Sequence, residues 1–129
     1  MENNKNKIYT AALLVIGNEI LSGRTKDENI NYIANQLTSQ GISLLEVRVI
    51  RDIERDIIDS VNHLRKAHDY VFTTGGIGPT HDDITVEAIA KAFEVKYVLN
   101  QEAYKILLEH YGSHEKINSS RIRMAYVPE

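Results

Sequence analysis

From Ile8 to Ile16 the chain reads IYTAALLVI, a nearly continuous apolar run of the kind expected for a strand buried on both faces. Gly17 ends it. Ile30, Ile33, Ala34 and Leu37 then recur at helical spacing, and Gly41 suits the left-handed position just past a helix end. Ahead of them, Thr25-Lys26-Asp27-Glu28 has the form of a capping box, with Thr25 as the expected cap. Ile42 to Ile50 is β-rich, Val47 and Val49 alternating with charged neighbours. Asp52 is the expected cap of a second helix carrying Ile53, Ile57, Val61 and Leu64. Tyr70 to Thr74 reads as a short third strand running into TTGGIGPTHDD. Thr85 is the expected cap of a third helix, with Val86, Ile89, Ala90 and Phe93 along one face. Val95 to Leu99 reads as a short strand, Asn100 caps a fourth helix to about Tyr111, and Asn118 starts a last helical turn before Tyr126-Val127-Pro128.

Strands alternating with helices at this spacing predict an α/β fold with a mainly parallel sheet, in one domain over residues 1–129. No repeat, low-complexity tract or internal linker interrupts it. In open sheets of this class ligands sit outside the carboxyl ends of the strands, near the point where strand order reverses. Two loops leave strand ends in this way, GNEILSGR after the first strand and GGIGPTHDD after the third. Parallel strands would open both on one edge of the sheet.

Composition narrows the function without choosing it. A chain of 129 residues, 43% apolar and 26% charged, suits a globular domain. Such a domain buries roughly two-thirds of its surface on folding. The net charge of −3 argues against a general nucleic-acid binder. The lack of cysteine removes disulfides, thiolate nucleophiles and cysteine-based zinc sites, and fits a reducing cytoplasm. No apolar run approaches the roughly 18 residues of a membrane span, and the polar opening MENNKN lacks the pattern of a signal peptide.

The two loops carry the candidate chemistry. Gly75, Gly76 and Gly78, flanked by Thr74, Pro79 and Thr80, can bring backbone N–H groups close to an anion at a helix start. The alternative is a tight strand-to-helix turn that needs glycine for sterics alone. Phosphates of a nucleotide or a pterin are the natural guests. Asp82 and Asp83 exceed what helix capping requires, and beside phosphate they would repel without a cation. Carboxylate, phosphate and water oxygens form the normal Mg²⁺ set, to which Glu19 could add a third protein ligand. His81 is a candidate general acid or base, or else polar surface. In the other loop Gly17 permits close approach, Asn18 and Ser22 offer neutral hydrogen bonds, and Arg24 either clamps a phosphate or stays solvated. Asn29 either turns inward or stays wet. The remaining histidines show no metal spacing.

Taken together, GNEILSGRTKDEN and TTGGIGPTHDDITVEAIA resemble the competence-damage-inducible protein A (CinA) family, whose N-terminal domain is similar to the MoaB/Mog molybdopterin-binding fold. The resemblance runs from about Tyr9 to Glu129. Against the TGGTG…RDVT pattern of the Mog group, Gly75, Gly76 and Gly78 fill the glycine positions, and Asp83 and Thr85 fall on the Asp and Thr. Asp82 replaces the Arg and Ile77 a Thr, which points to the CinA-like branch and away from molybdopterin adenylyltransferases. The resemblance implies a three-layer α/β/α fold and a homo-oligomer, trimeric in Mog-like and dimeric in CinA-like members. It also implies family members that continue past the VPE segment through a polar loop and a further strand, with an amidohydrolase domain beyond that, so this chain is expected to be truncated at the C-terminus and to lack the fold's last strand. For the activity it implies metal-dependent hydrolysis of a nucleotide pyrophosphate such as ADP-ribose or FAD. Asp82, Asp83 and Glu19 would hold the metal, Mg²⁺ in the first instance, with a monovalent cation and molybdopterin as further candidate cofactors. The rival readings are adenylyl transfer to molybdopterin and a non-catalytic ligand-binding or oligomerising domain. The expected ligand is a small molecule, with neither nucleic acid nor membrane as partner.

Overall fold

A computed structural model describes residues 7–129, so the polar opening MENNKN lies outside the described residues. Three parallel strands form the sheet: β1 (Tyr9–Ile16) in the middle, β2 (Ile42–Ile50) on one side and β3 (Tyr70–Thr74) on the other. The central place of β1 explains its sequence. Ala11 to Ile16 are all buried, because strands flank β1 on both edges and side chains cover both faces. The chain steps from β1 to β2 through α2 (Asn29–Ser39), after a single turn of helix α1 (Asn18–Leu21). It then crosses back over β1 to β3 through α3 (Glu54–Ala67). The two crossovers run in opposite directions. Right-handed connections therefore place α2 and α3 on opposite faces, which gives the three layers.

One face of the core is explicit. Ala12, Leu14 and Ile16 of β1 pack with Ile57, Val61 and Leu64 of α3 and with Ala88 and Ala92 of α4 (Thr85–Ala92). Ala11, Leu13 and Val15 point to the other face, where α2 packs on β2 and buries Leu37. The β1–β2 register shifts between Ala11 and Ala12, so Leu45 has no partner on β1 and stands 64% exposed. Beyond α4 the chain forms β4 (Tyr97–Leu99), α5 (Gln101–Tyr111), short 3-10 turns at His114–Lys116 and Arg121–Ala125, and β5 (Tyr126–Pro128). β4 and β5 make a separate antiparallel ribbon. The expected strand from Val95 thus begins two residues later, at Tyr97.

The helix starts divide instructively. Asn100 caps α5 as expected, accepting from the N–H of Ala103 at 2.9 Å, and Asn118 opens the last turn by accepting from Arg121 at 2.8 Å. Gly41 sits at φ 76° just past α2. Three expected caps are not caps. Thr25 is exposed and lies four residues before α2, and Asp27 accepts from the N–H of Ile30 at 2.7 Å instead. Asp52 gives no side-chain bond to α3, whose start at Ile53 is uncapped. Thr85 is a fully buried helix residue whose hydroxyl bonds elsewhere.

Among the described residues no helix is long and apolar enough to cross a membrane.

Candidate functional site

Because all three strands run parallel, the segments after β1, β2 and β3 emerge on one edge. The strand order reverses at β1, and a crevice belongs at such a point. An open, largely polar cleft of about 450 Å³ lies there, lined by Asn18, Glu19, Arg24, Asp52, His81, Asp82 and Ile84. The two loops expected to converge do so, and a third contributor joins them. Asp52 follows β2, and its backbone N–H donates to Asn18 Oδ1 at 3.2 Å, which ties the second segment to the first. Its local sequence suggested only a helix cap. The signal that would have found it is positional, since in a parallel sheet the residues after β2 reach the same edge.

The acidic groups are not equivalent. Burial raises the Asp52 carboxyl above its ordinary value, and the charges of Glu19, Asp83 and Asp82 push the same way. Asp52 Oδ1 is buried and has no partner among the described residues. Glu19 folds back so that its carboxylate lies 2.5 Å from where a Cβ on Gly17 would stand. Asp82 is exposed beside His81, whose Nε2 lies 3.3 Å from Asp82 Oδ1 and whose side chain is 90% exposed. Asp83 takes another path. Its Oδ2 accepts from the N–H of Thr80 at 2.9 Å and from the Thr80 hydroxyl at 2.8 Å. It also fills the space a Cβ on Gly78 would need. Burial pushes the Asp83 carboxyl up, but the bonds from Thr80 and Gly78 and the charge of Arg123 outweigh this, and the net shift is down. The adjacent aspartates thus face different work: Asp82 lines the polar cleft, while Asp83 holds the turn of the loop.

The glycines also have reasons inside the fold. Gly75 adopts φ 93° and presses against the Ile16 carbonyl, and Gly76 adopts φ 66° against the Thr85 hydroxyl. Either would clash with a Cβ, so sterics account for both, whatever the loop binds. Pro79 and Thr80 shape the same turn. Thr74 ends β3 with its hydroxyl buried and without a partner among the described residues. In the first loop Ser22 donates to the Glu19 carbonyl at 3.3 Å and accepts from Arg24 Nε at 3.2 Å, which steers the guanidinium at the cleft wall. Asn29 is exposed at the start of α2 and lines none of the clefts.

For a metal, the donor chemistry fits a hard cation: Glu19, Asp52 and Asp82 offer carboxylate oxygens to one cleft. Among the described residues, however, no three His, Asp or Glu groups are arranged as a ready cage.

With this geometry in view, the comparisons with known proteins are decisive. The family model described as "Probable molybdopterin binding domain" matches residues 12–125. The crystal structure of CinA from Thermoplasma acidophilum superposes with a TM-score of 0.87 at 32% identity, covering 94% of this chain and 71% of that one. The chain belongs to the molybdopterin-binding-domain family, in its CinA-like branch. Its relatives in that family include a protein of Metallosphaera sedula, 40% identical over 124 residues, which are 95% of this chain and 47% of the relative. A CinA-like protein of Fusobacterium nucleatum is 36% identical over 92% of this chain and 30% of its own length. The chain spans about half the length, or less, of these curated relatives. MoaB of Pyrococcus furiosus, a tungsten-cofactor-synthesising protein, shares the fold with a TM-score of 0.63 at 20% identity over 86% of this chain.

Proposed function

We propose that this CinA-like domain binds a phosphate-bearing nucleotide or pterin at the polar cleft and hydrolyses a pyrophosphate bond of the ADP-ribose or FAD type. The observation that carries the reading is the buried, unpartnered carboxylate oxygen of Asp52, set in one cleft with Glu19, Asp82 and the Arg24 guanidinium. An acid raised by burial among other acids is a group awaiting a cation or a proton. Arg24 and the backbone N–H groups of the glycine turn would bind phosphate oxygens, and one or two of the carboxylates of Asp52, Asp82 and Glu19 would hold a divalent ion against them. When bound, such an ion supplies neutralisation of the charge that develops on phosphate and activation of water. In the reaction a water oxygen bonds to one phosphorus, the bridging P–O bond breaks, and two phosphate monoesters leave with the released proton passing to solvent. His81, exposed at the rim, would relay that proton. Self-association into a dimer or trimer and a cytoplasmic setting belong to the same reading.

The test is to incubate the protein with ADP-ribose, FAD and NAD, with Mg²⁺ and with EDTA, and to measure release of AMP. Mg²⁺-dependent release from one of them, abolished in Asp82→Asn, is the expected result. Binding of these compounds without release would leave a ligand-binding domain, and no binding would overturn the reading. The family description also favours a pterin guest. Molybdopterin in the same assay, with ATP added, distinguishes adenylyl transfer by the appearance of an adenylated pterin and pyrophosphate.

A further inference from the structure

The polar cleft does not end at Asp82. It shares His81 and Asp82 with a neighbouring cleft that Thr80, Ser119, Ser120 and Arg123 complete. That cleft in turn shares Arg123 with a third, of about 260 Å³, behind the glycine turn. The three therefore lie side by side around the His81-Asp82 corner and change character from one to the next. The first is acidic, with Arg24 as its cation. The middle one is lined by Thr80, Ser119 and Ser120. At the far end Ile77, Val86, Tyr97, Met124, Tyr126 and Val127 make most of the wall, with Asp83 beside them.

The far end carries a donor with nothing to donate to. Arg123 donates from Nη2 to the backbone carbonyl of Asp83 at 3.1 Å, which fixes its guanidinium plane. Its Nε is buried and has no partner among the described residues. A buried donor without an acceptor costs free energy that a bound acceptor would return. Around it the Tyr97 and Tyr126 rings lie 5.1 Å apart at 37°, a diagonal aromatic pair across the β4–β5 ribbon, in which Tyr97 pairs with Pro128 and Tyr126 with Leu99. Burial raises the Tyr97 phenol above its ordinary value. Apolar and aromatic surfaces with one fixed, planar donor select a flat ring that carries an acceptor in its own plane.

We infer that the third cleft is a ring subsite, taking a flat nitrogen heterocycle that packs among Val86, Met124 and the Tyr97–Tyr126 pair and turns a ring acceptor to Arg123 Nε. It deepens the phosphate reading of the first cleft and rests on that reading only for the other end of the ligand. A ring subsite set in a row with a phosphate-and-metal cleft suits extended molecules, in which a heterocycle and a pyrophosphate are joined through a sugar or side chain. Purine and pterin share the ring chemistry, and the experiment separates them.

Met124 is the reporter, because Met1 is the chain's only other methionine. Its methyl resonance in methyl-labelled protein is followed during titration with adenosine and, separately, with a phosphate-free pterin. Inorganic pyrophosphate with Mg²⁺ is followed in parallel through the Gly17 and Asn18 amides. Saturable movement of the Met124 signal with at least one ring is expected. Val86→Phe, which fills the subsite from α4, should abolish it while leaving the pyrophosphate response intact. Arg123→Lys, which keeps a cation but loses Nε, should weaken ring binding about tenfold. Should Val86→Phe unfold the chain, Arg123→Lys decides. A Met124 signal unmoved by both rings, or moved equally in wild type and both variants, overturns the subsite. Loss of the pyrophosphate response with the Met124 shift intact would instead remove the phosphate reading and leave the ring subsite standing.

Discussion

Thr85 donates its hydroxyl to the Gly75 carbonyl at 2.8 Å from a fully buried position, and its backbone N–H donates to the Gly76 carbonyl at 3.1 Å. One residue thus bolts the start of α4 to the glycine turn. Thr85→Val keeps the shape and deletes the hydroxyl, leaving the Gly75 carbonyl without that donor. The expected cost is about 1–3 kcal/mol by urea denaturation. Thr85→Ser keeps the bond and should cost clearly less. A larger cost in Thr85→Ser than in Thr85→Val would mean that the Thr85 methyl, and not the bond, is what matters.

The left-handed glycines predict a graded series. Gly23 has φ 79° and nothing within 4 Å of the place a methyl would take, so Gly23→Ala should cost only the left-handed backbone penalty, about 1–2 kcal/mol. Gly75→Ala meets the same penalty and also drives its methyl into the Ile16 carbonyl. It should be markedly worse, and the melting temperatures of the two variants give the comparison. A similar drop in both would show that β1 yields easily at Ile16.

Asp52 should trade stability against ligand binding. Its native carboxyl titrates above the ordinary value of 3.8, so the folded state binds the proton more tightly than the unfolded one. The stability it contributes is therefore highest at low pH, falls as pH rises past 3.8, and stays lowered once pH exceeds the raised native value. Asp52→Asn removes that penalty. It should melt higher than wild type at pH 7 and no differently near pH 3. Mg²⁺ should stabilise wild type at pH 7 and do much less for the variant. A variant less stable than wild type at neutral pH would mean that the Asp52 charge is already compensated within the fold.

The two adjacent aspartates should separate in their phenotypes. Asp82→Asn, on an exposed side chain, should leave stability unchanged and reduce pyrophosphate turnover about a hundredfold, the scale of losing a charge that stabilises the transition state. Asp83→Asn should act first on stability, because the bonds from Thr80 hold the carboxyl below its ordinary value of 3.8. That contribution is full above 3.8 and is lost as pH falls through the lowered native value. The wild-type advantage over Asp83→Asn should accordingly shrink in acid. A hundredfold turnover loss in Asp83→Asn with no change in its acid melting curve would reverse the assignment.

What the sequence reveals of each residue depends on how far along the chain its contacts lie. Asn100, Asn118 and Gly41 act on atoms within a few residues of themselves, and their roles were legible. The apolar run of β1 announced a strand covered on both faces, since successive side chains point to opposite faces, while its central place in the sheet came only from the fold. Thr85 and Asp52 misled because each could cap a helix locally, yet each makes its main contact with a distant strand end. The polar cleft was legible as two loops on one edge. Its third contributor was hidden, because a single Asp after β2 carries no motif. Arg123 and the tyrosine pair lie in the last third of the chain, and only folding brings them against the glycine turn.

The central strand has a consequence for how the chain is made. β1 is synthesised first, but its two partners are residues 42–50 and 70–74. At ribosomal rates of about 5–20 residues per second, the uncharged stretch Ala11–Ile16 waits on the order of several seconds before β3 is complete. Throughout that interval it is a β-prone segment without charge, proline or a covered edge, the kind that seeks strands on other chains. Slowing synthesis between Ile50 and Tyr70 should therefore lower the yield of folded protein more than the same pause placed after Thr74.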